Sequence, residues 1–204
     1  MASVWLLDGR DIDGAGLAAC AAWLGPSERQ RLAGFARGER RRQFVLGRAL
    51  LRAALAPLLA VAPAAIALAE RRGNAPLLDV PGHPLPSFSL SHSGPWIACA
   101  VSARTPVGLD IERLDAARDL DALAAQVFDA AGQAALAALA PAARVDLFYR
   151  MWSTAEARFK LGAAAAHTAV LPHPALSIVL CSAHPLARPP GVQDGATLLL
   201  QLIS

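Results

Sequence analysis

Cysteine is scarce in this 204-residue chain: only Cys20, Cys99 and Cys181 occur, far apart. Three such residues without ligand spacing exclude a disulfide framework and a thiolate metal site. A reducing cytoplasm is the compartment to expect. Charge is also sparse, at 17% of residues with a net +3, which gives no reason to expect a nucleic-acid binder. No long unbroken apolar run exists either. The longest, residues 53–69, is rich in alanine and interrupted by Pro57 and Pro63, so it is too short and too broken to span a membrane. The first residues carry Asp8, Asp11 and Asp13 and no basic start, unlike a secretory signal. No internal repeat is visible. These absences leave a soluble protein.

Hydrophobic residues make up 55% of the chain, which marks it as globular. Its length allows one large domain or two small halves around a shared core. Val4 to Leu7 reads as a strand and Ala15 to Leu24 as a helix ended by Gly25-Pro26, with Ser27 as the cap of the next helix. Residues 28–59 are helical in pattern, interrupted near Gly34 to Gly38, and Phe44, Leu46, Leu50, Leu51 and Leu55 form a buried stripe. Ala65 to Leu68 has strand character, and Gly73 to Pro86 reads as loop. Ser87 to Leu90 is a strand, and Ile97 to Glu112 reads as a β-hairpin turning at Ala103 to Pro106. Residues 119–139 are helix broken at Asp129 to Gly132. Ala142 to Leu161 is a long helix with Phe148, Trp152, Ala155 and Phe159 as its core face. Ala175 to Leu180 and Thr197 to Ile203 read as late strands. His167, His173 and His184 fall in loop-like stretches and receive no role.

Two acidic motifs carry the chemistry. In Gly108-Leu109-Asp110-Ile111-Glu112 the alternation of a strand puts Asp110 and Glu112 on one face. In Trp152-Ser153-Thr154-Ala155-Glu156-Ala157-Arg158-Phe159-Lys160, Glu156 and Lys160 lie four apart on one side of a helix. If helix and strand pack together, three carboxylates converge beside a lysine. Hard oxygen ligands of this kind suit Mg²⁺, which completes its shell with water and substrate phosphates. Ser91-His92-Ser93-Gly94 groups small donors and an imidazole next to a strand, a cradle for phosphate. Arg37, Arg40, Arg41, Arg42, Arg48 and Arg52 cluster, giving a local basic surface for an acidic ligand or partner.

Phe88 to Ser93, Gly108 to Glu112 and Trp152 to Lys160 resemble, in order and spacing, the three signature motifs of the 4′-phosphopantetheinyl transferases, closest to the larger, monomeric, surfactin-type branch. Gly47-Arg48-Ala49-Leu50-Leu51-Arg52 is similar to that family too. The resemblance implies an α+β fold of two similar α/β halves forming a pseudo-dimer, here residues 1–102, binding coenzyme A, and residues 103–204, binding metal and catalysing. It implies Mg²⁺ held by Asp110, Glu112 and Glu156, with Asp110, Glu156 and Lys160 as the catalytic group. It implies coenzyme A contacts from Ser91, His92, Lys160 and one or two arginines, among which Arg31 matches a frequent basic position and Arg42 and Arg48 are further candidates. The partner it implies is an apo acyl or peptidyl carrier protein.

The chain departs from the family pattern at three places. Asn74-Ala75-Pro76 stands where Gly-Lys-Pro is usual, Ala155 stands where the middle lysine of Trp-x-x-Lys-Glu is usual, and Phe128 to Gln133 lacks a glutamate in register, with Gly132 nearby. These losses raise the alternative of a non-catalytic or weakly active coenzyme A- or carrier-binding homologue. Carboxylates alone would also permit a Mg²⁺-dependent diphosphate hydrolase.

Overall fold

The computed structural model describes residues 2–71, 73–79, 85–162 and 167–203. Its strands are β1 (Ala2–Asp8), β2 (Ala67–Ala69), β3 (Leu77–Asp79), β4 (Ser87–Ser93), β5 (Trp96–Ser102), β6 (Val107–Arg113), β7 (His167–Leu171), β8 (Leu176–Ser182) and β9 (Val192–Asp194). Its α-helices are α1 (Gly14–Ala22), α2 (Pro26–Ala33), α3 (Gly38–Leu59), α4 (Leu120–Val127), α5 (Ala130–Ala137), α6 (Pro141–Leu161) and α7 (Gly195–Ile203). The fold is α+β, as the resemblance implies.

Two sheets carry the architecture. One has the order β4-β5-β1-β9 and the other β6-β8-β7. Alternation along β5 explains how they stack. Ile97, Cys99 and Val101 join the core under α3, while Ala98 and Ala100 face the other way. There they meet Val4 and Leu6 of β1 and Val107, Leu109, Ile111, Ile178 and Leu180 of the second sheet. Small residues on this inner face let the two sheets approach. The far side of the second sheet takes α6, where Ala157 packs on Val179 and Cys181. The layers therefore run α3, first sheet, second sheet, α6.

The seam between sheets is polar. Ser87, Ser89, Ser91 and Ser93 all leave β4 on one face. Their hydroxyls accept the backbone N–H groups of Val107, Leu109, Ile111 and Arg113 at 3.0, 2.9, 3.2 and 3.1 Å. An edge strand leaves a row of donors unpaired. Here a ladder of serine hydroxyls satisfies β6 where a neighbouring backbone would otherwise be needed.

Several expectations are corrected. Ile97 to Glu112 is not a hairpin: β5 pairs with β4 and β1, and β6 pairs with β8. The turn after β5 carries the chain from one sheet to the other. The true hairpin is β4–β5, turned by Gly94-Pro95, with Gly94 at φ +55°. Thr197 to Ile203 is helix and not strand. Asp194 accepts from Ala196 N and Thr197 N and so caps α7, which the leucine run alone did not reveal. Leu77–Asp79 is a short strand inside the stretch read as loop, and His167–Leu171 is a strand; residues 80–84 of that loop lie outside the described residues. Gly25, not Ser27, caps α2, with Pro26 in its first turn and Glu28 returning to Gly25 N at 2.7 Å.

The core face of α6 is also shifted. Phe148, Tyr149, Ser153 and Ala157 are its buried residues, whereas Ala155 is exposed and Phe159 is 82% exposed. The stripe Phe148, Trp152, Ala155, Phe159 therefore turns away from the sheet beyond Trp152. The chain's end also returns to the first sheet: β9 runs parallel to β1, and α7 packs Ala196 and Leu199 into the core under α3.

Candidate active site

Gly108 fixes how closely α6 can approach β6. A Cβ on Gly108 would lie 2.0 Å from the Ala157 carbonyl oxygen and 2.7 Å from Leu161 N. Only glycine permits this backbone contact. Two residues along, on the same face of β6, stands Asp110. The close approach brings the chain's single lysine, Lys160, to it. The Lys160 ammonium donates to Asp110 Oδ1 at 2.7 Å, to Ser91 Oγ at 3.0 Å and to the Leu109 carbonyl at 3.1 Å. Ser91 Oγ, which also accepts from Ile111 N, donates to Asp110 Oδ1 at 2.9 Å. The three motifs thus meet at one point.

Asp110 is buried, at 4% exposure, and its Oδ2 has no hydrogen-bond partner. A buried ionised oxygen without a partner is costly, so its environment must be completed by something else. Glu112, next on this face, accepts from Ser93 Oγ at 2.7 Å. Burial pushes its carboxyl above the usual range; the Ser93 hydroxyl works against this, and Asp110 adds to it. An unsatisfied oxygen beside a destabilised carboxylate is the donor chemistry a hard divalent cation relieves. Asp110 and Glu112 therefore fit a Mg²⁺ site. The third expected ligand, Glu156, is half-buried on α6. Among the described residues no three His, Cys, Asp or Glu side chains are gathered as a metal-holding group, so Glu156 is not closed on the pair.

His92 leaves β4 on the face opposite Ser91, towards α3. Arg40, in the first turn of α3, donates through Nη1 to His92 Nε2. Burial, then the charges of Arg40 and Lys160, pull the His92 pKa down to about 4. At neutral pH this imidazole is uncharged and lies in the field of two cations.

The arginines divide sharply. Arg31 pairs with Glu70. Arg48 pairs with Glu70 at 2.6 Å and lies over the Phe44 ring. Arg52 and Glu28 form a fully buried two-pronged pair at 2.8 and 2.6 Å. Arg42 donates to the Gly9 and Ile12 carbonyls. Of the candidate phosphate contacts, Arg42 and Arg48 are thus engaged by the protein's own acceptors. Arg31 is part-exposed and lines a cleft of about 470 Å³ with Ser27, Gln30, Arg71 and Gly73. Arg40 was not singled out from the sequence, because nothing in an arginine-rich helix start distinguishes it. Glu70, the acid that organises Arg31 and Arg48, was likewise unmarked.

Comparison with known proteins agrees with this arrangement. Residues 106–179, which hold Asp110, Glu112, Glu156 and Lys160, match the family model of the 4′-phosphopantetheinyl transferase superfamily. Over 133 residues the chain is 32% identical to a 4′-phosphopantetheinyl transferase of Bacillus subtilis, covering 65% of this chain and 57% of that protein. Over 141 residues it is 34% identical to the 4′-phosphopantetheinyl transferase HetI of a Nostoc species, covering 69% and 60%. Over 123 residues it is 34% identical to the 4′-phosphopantetheinyl transferase AcpT of Escherichia coli, covering 60% and 58%. In each case the matched stretch spans less than two thirds of the relative's own length. The matched residues include Asp110 and Glu112 of β6 and Glu156 and Lys160 of α6, and over this stretch the chain is similar to the 4′-phosphopantetheinyl transferase superfamily.

Proposed function

We propose that the protein is an enzyme that transfers the 4′-phosphopantetheine arm of coenzyme A to a serine hydroxyl of an apo acyl or peptidyl carrier protein. The other product is 3′,5′-ADP. One observation supports this most: Lys160, Ser91 and Asp110 meet at a buried carboxylate whose second oxygen has no partner. In the reaction the carrier serine oxygen attacks the phosphorus next to the pantetheine arm. A new P–O bond forms, the diphosphate P–O bond breaks, and the serine proton leaves to water. Lys160 stands where it can turn from Asp110 to the diphosphate oxygens and offset charge developing there. Neutral His92 offers a hydrogen bond at the other side of β4. Asp110 and Glu112, joined by Glu156, are the residues that would hold Mg²⁺, which when bound supplies charge neutralisation on the diphosphate.

The proposed organisation is a coenzyme-binding half, residues 1–102, and a metal-binding, catalytic half, residues 103–204. A sheet with a long helix on its outer face on either side of the serine seam supports it, with residues 192–203 returned to the first sheet. A monomer in a reducing cytoplasm is the proposed setting. Three buried free cysteines fit that compartment, and no helix among the described residues is long and apolar enough to cross a membrane.

The test is to incubate the protein with Mg²⁺, coenzyme A and an apo carrier, then weigh the carrier. A gain of one phosphopantetheine is the expected result. Coenzyme A binding without a gain would replace this reading with a non-catalytic binder, and coenzyme A cleavage without a carrier would replace it with a hydrolase.

A further inference from the structure

The arginines of α2 and α3 can be sorted by what remains free on each guanidinium. Arg41 donates to the Leu32 and Phe35 carbonyls and Arg42 to the Gly9 and Ile12 carbonyls. Arg31, Arg48 and Arg52 are held by Glu70 and Glu28. Arg40 differs. Through Nη1 it meets Gln43 Oε1 at 3.2 Å and His92 Nε2. Its guanidinium lies 5.6 Å from the centre of the Phe35 ring. No carboxylate pairs with it, and its Nε and Nη2 have no acceptor among the described residues.

A part-buried guanidinium with one edge anchored and the other free is shaped for a two-pronged contact to a phosphate. Its surroundings favour an anion. Burial lowers the Arg40 pKa, and the charges of Arg31 and Arg48 lower it further; three cations share one neighbourhood, and Glu70, paired with Arg31 and Arg48, brings a single negative charge to it. On its other side Arg40 contacts His92, which also feels Lys160.

We propose that Arg40, held by Gln43 and stacked by Phe35, is a direct ligand for a phosphate group of the bound nucleotide. Arg42 and Arg48 serve the fold. This rests on the coenzyme A reading above and adds a residue to it. The site lies on the α3 side of β4, one residue from Ser91, so a single nucleotide could reach both Arg40 and Lys160. The anion Arg40 meets belongs either to the diphosphate or to the 3′-phosphate of coenzyme A, and the ligand series separates these.

Calorimetry without added metal would compare coenzyme A, dephospho-coenzyme A and inorganic pyrophosphate on the wild type and on Arg40→Gln, Arg40→Lys and Arg42→Gln. Arg40→Gln should weaken coenzyme A roughly 10- to 100-fold, the worth of a charge-assisted pair. Arg40→Lys, which keeps the charge and loses the fork, should fall in between. A larger loss for coenzyme A than for dephospho-coenzyme A assigns the 3′-phosphate, and equal losses assign the diphosphate. Arg42→Gln should change affinity less than about twofold while lowering Tm. If the wild type binds coenzyme A and both Arg40 variants bind it within twofold of wild type, the proposal is wrong. If the wild type binds no coenzyme A with or without Mg²⁺, the transferase reading fails by itself; inorganic pyrophosphate and 3′,5′-ADP, which carry the diphosphate and the 3′-phosphate respectively, then test Arg40 separately, and affinities for both that ignore Arg40→Gln overturn this proposal. Arg40→Lys keeps the question answerable if Arg40→Gln does not fold.

Discussion

The two oxygens of Asp110 have opposite surroundings. Oδ1 receives the Lys160 ammonium at 2.7 Å and the Ser91 hydroxyl at 2.9 Å, while Oδ2 is buried without a partner. One half of the carboxylate is locked into the protein, and the other is left for something the protein does not supply. Because Asp110 is buried, removing it is more than trimming a polar strand face. Asp110→Ala leaves the Lys160 charge without its anion and should lower Tm. Asp110→Asn keeps the shape and should hold Tm closer to wild type, yet transfer should fall by at least about 100-fold, since hard-cation binding needs the charge. Near-normal turnover in Asp110→Asn would remove this residue from the metal.

Glu112 gives a pH test. Its folded pKa is raised, chiefly by burial and also by Asp110, so the fold binds its proton more tightly than the unfolded chain does. Its contribution is therefore favourable below the unfolded value of about 4.5 and is lost as pH rises through the folded value. Above the folded value the ionised side chain is a net cost. Glu112→Gln should raise Tm at pH 7, keep the Ser93 contact through its amide oxygen, and show a shrinking advantage as pH approaches 4. Saturating Mg²⁺ should stabilise the wild type at pH 7 more than it stabilises Glu112→Gln. Thermal melts across pH, with and without Mg²⁺, decide it; an advantage that grows towards acid would reverse the sign.

Gly108→Ala should be severely destabilising. The added methyl meets backbone on α6, which cannot step aside as a flexible side chain could. The expected loss is about 3 kcal/mol or more, at or beyond the upper end for overpacking. Denaturant unfolding measures it. A loss under about 1 kcal/mol would mean that the helix can back away from β6 freely.

Ser153 sits between Tyr149, whose carbonyl accepts from Ser177 Oγ opposite Glu112, and Ala157, which packs on Val179 opposite Asp110. It is fully buried, and its hydroxyl has no partner. Ser153→Ala removes a desolvated polar atom at almost constant shape and should be neutral or stabilising by about 1 kcal/mol. A clear loss of stability would show that the hydroxyl is satisfied in solution by a bound water.

The parts of this fold that could be read from sequence were those set by local period. The Phe44, Leu46, Leu50, Leu51, Leu55 stripe of α3 is buried as read, because a 22-residue helix repeats its signal many times. The shared face of Asp110 and Glu112 also held, because strand alternation is geometric. Strand partners did not follow. The alternation of β5 and β6 is the same whether they pair with each other or sit in stacked sheets, and only the serines of β4, on every second residue from Ser87 to Ser93, marked the seam. The leucines of α7 fit either period, and the Asp194 cap settled them. At the site, Asp110, Ser91 and Lys160 were legible as motifs. Arg40 was not, because its distinction lies in a contact with His92 of β4, 52 residues away, which no local period signals.

Ala155 tests the missing lysine of the family pattern. On an α-helix each residue turns the direction by about 100°, so Ala155 points roughly opposite to the buried Ser153, while Lys160 returns to nearly the Ser153 direction. Ala155 is exposed in agreement with this. The expectation that Ala155 belongs to the core face is therefore set aside, and a lysine there has open space for its stem. Ala155→Lys should leave Tm unchanged within the scatter of about 0.5 kcal/mol for open surface sites. Its ammonium starts from the face away from Asp110, so any gain in coenzyme A affinity should come from long-range attraction. Such a gain fades as the Debye length shortens from about 30 Å at 0.01 M salt to about 8 Å at 0.15 M. Calorimetry at these two salt concentrations reads the difference. A gain that survives at 0.15 M would mean that the lysine stem reaches round the helix to touch the phosphates, and Ala155 would then be a lost contact of the site.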